Sequence, residues 1–495
     1  MNGGFAGLTA GQVAGLAVLA PCVTAALVAL LGKWPNRREA ATLITSPLIF
    51  ALIVVGILPA VRAGERPRLD LVEILPGVSL VFEVEPFGMV FALVASGLWI
   101  LTSIYAIGYL RGHHETNQTR FFICFALAIF GALGVAFAGN VFTLFVFYEL
   151  ITLSTFPLVT HAGTEAAKRA GRTYLGILMG TSVGFLLLAL VWTQYAAGTT
   201  AFTPGGVLDG KVDHSLLPWL LALYAFGAAK AALFPFHRWL PAAMVAPTPV
   251  SALLHAVAVV KAGVFTITKV VVYIFGTDLL AETAAADWLI LVASFTLVAG
   301  SVIALYQHNL KRRLAYSTVS QLAYIVLGAA LLADHAVIGA GMHLVSHAFG
   351  KITLFFCAGA IMVAAHEKEI PRMHGLGRKM PWTFGAFLVA SLSLIGIPPF
   401  VGVWSKWYLA WGAAEARPLV VGVYMVSSLF AVAYLLPIVA RAFFLDPPED
   451  AHHDEVREPL LCVLPPVLTA IGCLLLSVYV DELATFLGAA LGGAP

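Results

Sequence analysis

The residues able to do chemistry in this chain are titratable groups set inside apolar sequence. From Phe226 to Gly263 the chain places Lys230 and Lys261 in two consecutive apolar segments, and Pro235 interrupts the first. Proline removes a backbone donor and clashes with the preceding turn, so this reads as a broken helix carrying buried charge. Glu149, in the run V-F-T-L-F-V-F-Y-E-L, is alone among the 26 acidic residues in falling at the middle of an apolar window. His343, His347 and Lys351 recur at steps of four, which on a helix makes one polar row roughly 12 Å long. A second interruption follows at Pro398 and Pro399, with Lys406 just beyond. Ammonium, imidazole and carboxylate groups at membrane depth are costly and tend to be functional, and in a row they suit proton transfer.

The elements that must hold these groups are membrane helices. Hydrophobic residues make up 60% of the 495 and charged residues only 11%, against about 25% charged in a soluble domain. Windows long enough to span fall near 11–32, 42–61, 88–110, 120–138, 139–160, 172–195, 216–242, 249–275, 285–306, 313–333, 336–365, 382–412, 418–441 and 459–480, which makes fourteen. The fold class expected is therefore an all-α polytopic membrane protein, with the seventh and twelfth helices broken. Of the 28 Lys and Arg, five fall within spans, eighteen at one set of helix ends and five at the other. By the positive-inside rule this predicts both termini outside. Between Ala63 and Pro86, apolar residues alternate with polar ones (Leu69, Leu71, then Val78, Leu80, Phe82, Val84), predicting an external hairpin.

Composition also excludes chemistry. Cys22, Cys124, Cys357, Cys462 and Cys473 are dispersed without a C-x-x-C, so no metal or disulfide framework is expected. There is no glycine-rich dinucleotide fingerprint, so no cofactor and no redox catalysis are expected of the chain itself. No positively charged stretch precedes the first apolar segment, which reads as a retained helix and not a cleaved leader. A net charge of +2 says nothing about partners; no nucleic acid is expected.

Six motifs carry a family resemblance: F-x-F-Y-E-L (Phe145 to Leu150), K-x-x-x-F-P-F-H-x-W-L-P (Lys230 to Pro241), A-P-T-P-V-S-A-L-L-H (Ala246 to His255), N-L-K-R-x-L-A-Y-S-T (Asn309 to Thr318), H-L-x-x-H-A-x-x-K (His343 to Lys351) and G-I-P-P-F-x-G-x-W-S-K (Gly396 to Lys406). On these the chain resembles the antiporter-like membrane subunits shared by respiratory complex I and the multisubunit Mrp cation/proton antiporters. The resemblance implies a three-helix segment (1–118), two inverted five-helix repeats (119–280 and 281–445) and a final helix (446–495). It also implies proton conduction along a central axis in which Glu149 pairs with Lys230, continuing through Lys261, His343, His347 and Lys351 to Lys406. Lys406 is similar to the L-type, N-type and Mrp D-type patterns and unlike the M-type, and the His343/His347 pair speaks against N-type, which makes Mrp D-type the first choice.

Other titratable groups divide between path and packing. His237 and His255 are expected as satisfied polar neighbours of the path, and Lys269, toward the end of its helix, either joins the path or snorkels. His113, His114 and His161 are expected at the interface. Three functions fit: a subunit of a Na+ or K+/proton antiporter, the proton-pumping arm of an NADH:quinone oxidoreductase or membrane-bound hydrogenase, and the membrane partner of an inorganic-carbon uptake complex. All three place the chain in a bacterial plasma membrane beside other membrane subunits.

Overall fold

A computed structural model describes residues 7–448 and 456–491. The extreme termini, expected outside the membrane, lie beyond those residues. The first helices are α1 (Ala10–Leu30), α2 (Pro35–Arg62) and α3 (Pro86–Gly112). Between α2 and α3, β1 (Arg68–Leu75) and β2 (Val78–Glu83) form the antiparallel hairpin expected from the alternation, with Arg68 opposite Glu83 and Leu75 opposite Val78. Then follow α4 (Gln118–Ala136), α5 (Val141–Val159), α6 (Glu165–Ala197), α7 (Leu217–Gly227) and α8 (Thr248–Phe275). The second half holds α9 (Asp287–Leu305), α10 (Leu310–Ala330), α11 (Asp334–Ala365), α12 (Pro381–Ile395), α13 (Val401–Ala416) and α14 (Leu419–Phe444). The described chain closes with α15 (Leu460–Leu475) and α16 (Val480–Gly488).

Ten of the described helices are long and apolar enough to cross a membrane, or eleven if the segments Leu460–Leu475 and Val480–Leu491, bent by 74°, make one span. Of the fourteen expected windows, those near 216–242 and 382–412 fail that test because their helices are interrupted, and that near 313–333 fails because its unbroken helix is too polar. Helix α7 stops at Gly227, well before Pro235, so the break is a segment and Lys230 lies inside it. Its freed backbone groups find protein partners: Lys230 N–H donates to the Tyr148 hydroxyl (3.1 Å), Phe234 N–H to Thr296 Oγ1 (3.2 Å), and Ala229 C=O accepts from Trp239 Nε1 (2.9 Å). Irregular backbone at membrane depth survives under this condition.

The second break is built differently. Helix α12 ends at Ile395, Gly396 turns the chain at φ +95°, and α13 starts after Pro398 and Pro399. A Cβ on Gly396 would meet Lys406 Cδ at 2.9 Å, so glycine here serves both the left-handed turn and the lysine folded back over it.

Helix α8 is the centre. All of its apolar test window is buried, against 28% for α2 and 33% for α14. A helix carrying His255, Lys261 and Lys269 cannot face hydrocarbon, so its polar content explains its position. It is not a regular helix: Leu253–Val257 form a π-helical turn around His255. Farther along it runs against the α7 break, where Gly263 lets backbone meet backbone. A Cβ there would sit 2.1 Å from Ala231 N and 2.3 Å from Lys230 C.

The hairpin docks on the link between α4 and α5. Asn140 Nδ2 donates to Ser79 C=O (2.7 Å), Val81 N–H to Thr143 Oγ1 (2.9 Å) and Glu83 N–H to Phe137 C=O (2.8 Å). Asn140 also caps α5 by accepting from Thr143 N–H, so one residue both starts a helix and anchors a strand.

The contact at Gly263 sets a test. Gly263→Ala should lower the unfolding midpoint in detergent, with a cost toward the upper end of the ~1–3 kcal/mol typical of overpacking. Gly176→Ala, where an added Cβ meets nothing within 4 Å, should leave the midpoint unchanged. Equal behaviour of the two variants would show that the close approach is not tight in the folded protein.

Candidate proton path

The path begins at Glu149 on α5. Both of its carboxylate oxygens are buried without a hydrogen-bond partner. The ion pair expected with Lys230 is not closed. Lys230, wholly buried, turns its Nζ to the main-chain carbonyl of Tyr148 (2.7 Å) and lies 3.1 Å from the centre of that residue's ring. The reason is local: the break at Ala228 brings Lys230 alongside the α5 backbone, where a carbonyl and a π-face offer two neutral acceptors at once. Glu149 remains within electrostatic reach of the ammonium.

The next group is a direct amine–imidazole contact. Lys261 Nζ lies 2.7 Å from His347 Nδ1, both side chains fully buried. His347 keeps Nε2 unpartnered, while His343, one turn away, is held at both nitrogens, by Ser405 Oγ (3.0 Å) and Gln321 Oε1 (3.1 Å). The two rings are 6.1 Å apart. Lys351, the third member of the row, donates to Ser317 Oγ (2.6 Å) and more weakly to Leu314 C=O (3.3 Å).

From His343 the polar groups continue toward Lys406. Tyr324 stacks on His343 at 5.3 Å and bonds through its hydroxyl to Tyr424 C=O (3.1 Å) and Ser428 Oγ (3.3 Å). Lys406 Nζ donates to the same Ser428 Oγ (2.9 Å) and to Ile395 C=O (3.0 Å), the last carbonyl of α12. A cation at the open C-terminal end of a half-helix is held by both the orphan carbonyl and the helix dipole.

The structure therefore brings Lys261, His347, His343 and Lys406 into one neighbourhood with Lys351, and sets Glu149 and Lys230 at its start. His255 is fully buried, but contrary to expectation neither ring nitrogen has a partner; its ring packs 4.5 Å from Phe355. His237 is likewise incompletely satisfied. It stacks on Phe234 at 3.6 Å with Nδ1 unpaired.

Lys269 does not snorkel. It is 1% exposed, donates to Ala138 C=O (2.7 Å) and pairs with Glu85 Oε1 at 3.4 Å. Glu85 is the N-cap of α3, accepting from Phe87 N–H (2.7 Å) and Gly88 N–H (2.8 Å), and it takes a further bond from the Tyr273 hydroxyl (3.3 Å). Sequence reasoning missed this pair because Glu85 sits before Pro86 and reads as loop. It also missed Ser317, Gln321 and Tyr324. These recur at helical spacing on α10, a polar stripe that was available as a signal.

Outside the spans, His113 and His161 gather around Glu115, at 3.3 and 3.9 Å. Burial pushes the His161 imidazole below its usual value, against the opposing pull of Glu115. No group of His, Cys, Asp or Glu among the described residues could hold a metal.

With this geometry in view, comparison with known proteins is specific. Residues 138–431 match the family described as NADH:quinone oxidoreductase/Mrp antiporter, transmembrane. The chain is 33% identical over 433 residues to NADH-quinone oxidoreductase subunit N of Desulforudis audaxviator, covering 82% of this chain and 83% of that one. It is 32% identical to the A/B subunit of a probable K(+)/H(+) antiporter of Rhizobium meliloti, covering 87% of this chain but 43% of that one. With the A subunit of the Na(+)/H(+) antiporter of Bacillus subtilis the identity is 33%, over 80% of this chain and 50% of that one. It thus spans about half the length of these antiporter relatives. Among solved structures, a chain of the Mrp complex from Dietzia sp. superposes with a TM-score of 0.87 at 22% identity, covering 98% of each chain. A chain of the archaeal membrane-bound sulfane sulfur reductase gives the same TM-score at 24% identity, covering 97% and 98%. The chain belongs to the NADH:quinone oxidoreductase/Mrp antiporter transmembrane family.

The Glu85–Lys269 pair and His161 can each be tested by stability. Glu85→Ala leaves Lys269 buried without its counter-charge and should cost about 3–5 kcal/mol, whereas Glu85→Gln combined with Lys269→Met should recover most of the loss. Unfolding midpoints of the single and double variants decide this, and additive losses would refute a coupled pair. For His161, a depressed folded-state pKa means that stability is present above pH 6.5 and is lost as pH falls below it. His161→Gln should therefore flatten the fall in midpoint between about pH 7 and pH 5; an unchanged slope would remove His161 as its source.

Proposed function

We propose that this chain is a proton-translocating membrane subunit of a multisubunit Na+ or K+/proton antiporter, of the Mrp D type. The observation that carries the reading is where the unsatisfied groups fall. Glu149 Oε1 and Oε2, both nitrogens of His255, His347 Nε2 and Gln321 Nε2 are all buried without partners, on the helices that carry or contact Lys230, Lys261, Lys351 and Lys406, although unpaired atoms such as Arg38 Nε and Trp288 Nε1 also occur elsewhere. Buried polar atoms are nearly always paired in a structural network. Unpaired ones gathered on the same helices as buried amines are what a water-bearing proton path requires. In this reading Glu149 sets the charge state of Lys230, whose proton passes to Lys261 and His347, then by His343 and Tyr324 to Lys406. His237, Lys269 and His255 flank the line, with His255 beside Lys351.

The proposal extends to the frame. The four segments that fall short of the length or apolarity of a span, α7, α10, α12 and α13, belong with the others to a fourteen-helix arrangement of two inverted repeats, and α12 with α13 makes one broken span. Inverted-repeat transporters place their sites at discontinuous helices, as Lys230 and Lys406 are placed here. The basic helix ends put both termini outside a bacterial plasma membrane. The match to a chain of the Mrp complex over 98% of its length and the similarity to antiporter A subunits support the antiporter assignment.

The equal superposition on the sulfane sulfur reductase chain, and the similarity to a subunit N, favour a second reading in which the same path is the pumping arm of a redox complex. Mass spectrometry of the subunits that co-purify with the chain separates the two. Antiporter subunits without flavin or iron–sulfur support the first reading; flavin- or iron–sulfur-bearing partners support the second. In either complex, Glu149→Gln and Lys230→Ala should lower proton transport on the order of 10²-fold. Normally assembled variants with full transport would overturn the path itself.

A further inference from the structure

A separate feature shares no lining residue with the path described above. Helices α2, α3 and α11, together with the bend between α15 and α16, enclose a groove of about 460 Å3. Its walls are apolar, formed among others by Phe50, Val94, Leu101, Phe349 and Phe486. Its mouth is not: Arg62, Tyr479 and Glu482 line it there. Arg62 ends α2 on the side of the hairpin, and α3 begins on that same side, so the mouth faces the hairpin surface while Leu101 and Phe50 lie at the deep end.

The dimensions are those of one leaflet. On α3 the lining runs from Val90 to Leu101, about 16 Å at 1.5 Å per residue. Half of a ~30 Å hydrocarbon core is about 15 Å. The groove thus has the length of one leaflet's hydrocarbon layer, measured from the hairpin end of α3. Tyr479, 60% exposed, stands at the mouth where aromatic residues meet the headgroup layer.

The charges narrow the occupant further. Arg62 and Glu482 are both exposed and, among the described residues, neither makes an ion pair, although they line the same groove. A guanidinium and a carboxylate set apart at the mouth of an apolar slot are complementary to a headgroup with one negative and one positive charge. We propose that the groove binds the acyl chain of an amine-bearing zwitterionic phospholipid, with its phosphate on Arg62 and its ammonium on Glu482. An anionic headgroup would gain Arg62 but meet repulsion from Glu482, and a partner helix would have to bury both charges.

Native mass spectrometry of the full chain, extracted with its accompanying subunits, stripped of lipid and offered equal phosphatidylethanolamine and phosphatidylglycerol, tests this. The wild type should retain one phosphatidylethanolamine severalfold over phosphatidylglycerol. Arg62→Gln should lose that adduct about tenfold. Glu482→Gln should keep lipid binding but erase the preference, a result that mere apolar adhesion cannot give. Leu101→Trp, filling the deep end, should remove the adduct, with the unfolding midpoint reporting that the fold is intact. Equal retention of the two lipids by the wild type, an adduct unchanged by Arg62→Gln, or cross-linking of the Tyr479 position to a helix of another subunit would overturn the proposal. The outcome does not depend on proton transport.

Discussion

An ammonium cannot stand in hydrocarbon without acceptors, and the architecture depends on where four lysines find theirs. Lys230 uses a carbonyl and an aromatic face, Lys261 an imidazole, Lys351 a hydroxyl and a carbonyl, Lys406 a carbonyl and a hydroxyl. None of them contacts a carboxylate. A neutral acceptor holds an amine in place without fixing its charge, whereas a touching carboxylate favours the protonated form strongly. Lys269 is the contrast: it alone of the five span lysines touches a carboxylate, Glu85, and the pair ties α8 to the start of α3.

Supplying neutral acceptors at membrane depth explains the broken helices. An intact helix commits its carbonyls to its own ladder, so a lysine either finds a free carbonyl at an interrupted helix or shares one already in use, as Lys230 shares that of Tyr148. Gly396 with Pro398 and Pro399 exposes the Ile395 carbonyl for Lys406. The break after Gly227 moves Lys230 out of its own helix and onto the α5 backbone. The two interruptions thus solve one problem from opposite directions, one by offering a carbonyl and the other by delivering the amine.

Much of this was legible in the residues. Lysine is unmistakable in an apolar window, the prolines mark interruptions, and the step of four from His343 to Lys351 fixes one helix face. The alternation from Leu69 to Val84 is enough to define the hairpin. What the sequence withheld was partnership. Lys230 and Glu149 are opposite charges in neighbouring helices, and charge alone suggests contact; only the position of the α7 break shows that Tyr148 takes the amine instead. Glu85 and Lys269 are 184 positions apart (269 − 85) with no pattern joining them. The irregular turn around His255 has no proline or glycine within it to announce it.

The approach of Gly263 to Ala231 has a mechanical meaning. With no side chain between them, the main chain of the α7 break rests directly on α8, like a shaft on its bearing. A displacement of the Lys230 segment by the width of a methyl group has no soft layer in which to dissipate. It must be taken up by α8 as a whole, which carries His255, Lys261 and Lys269 along its length. A rearrangement at the first lysine would therefore press on the helix whose Lys261 meets His347 of the second half, with bare backbone on one side of that column and a side-chain contact on the other.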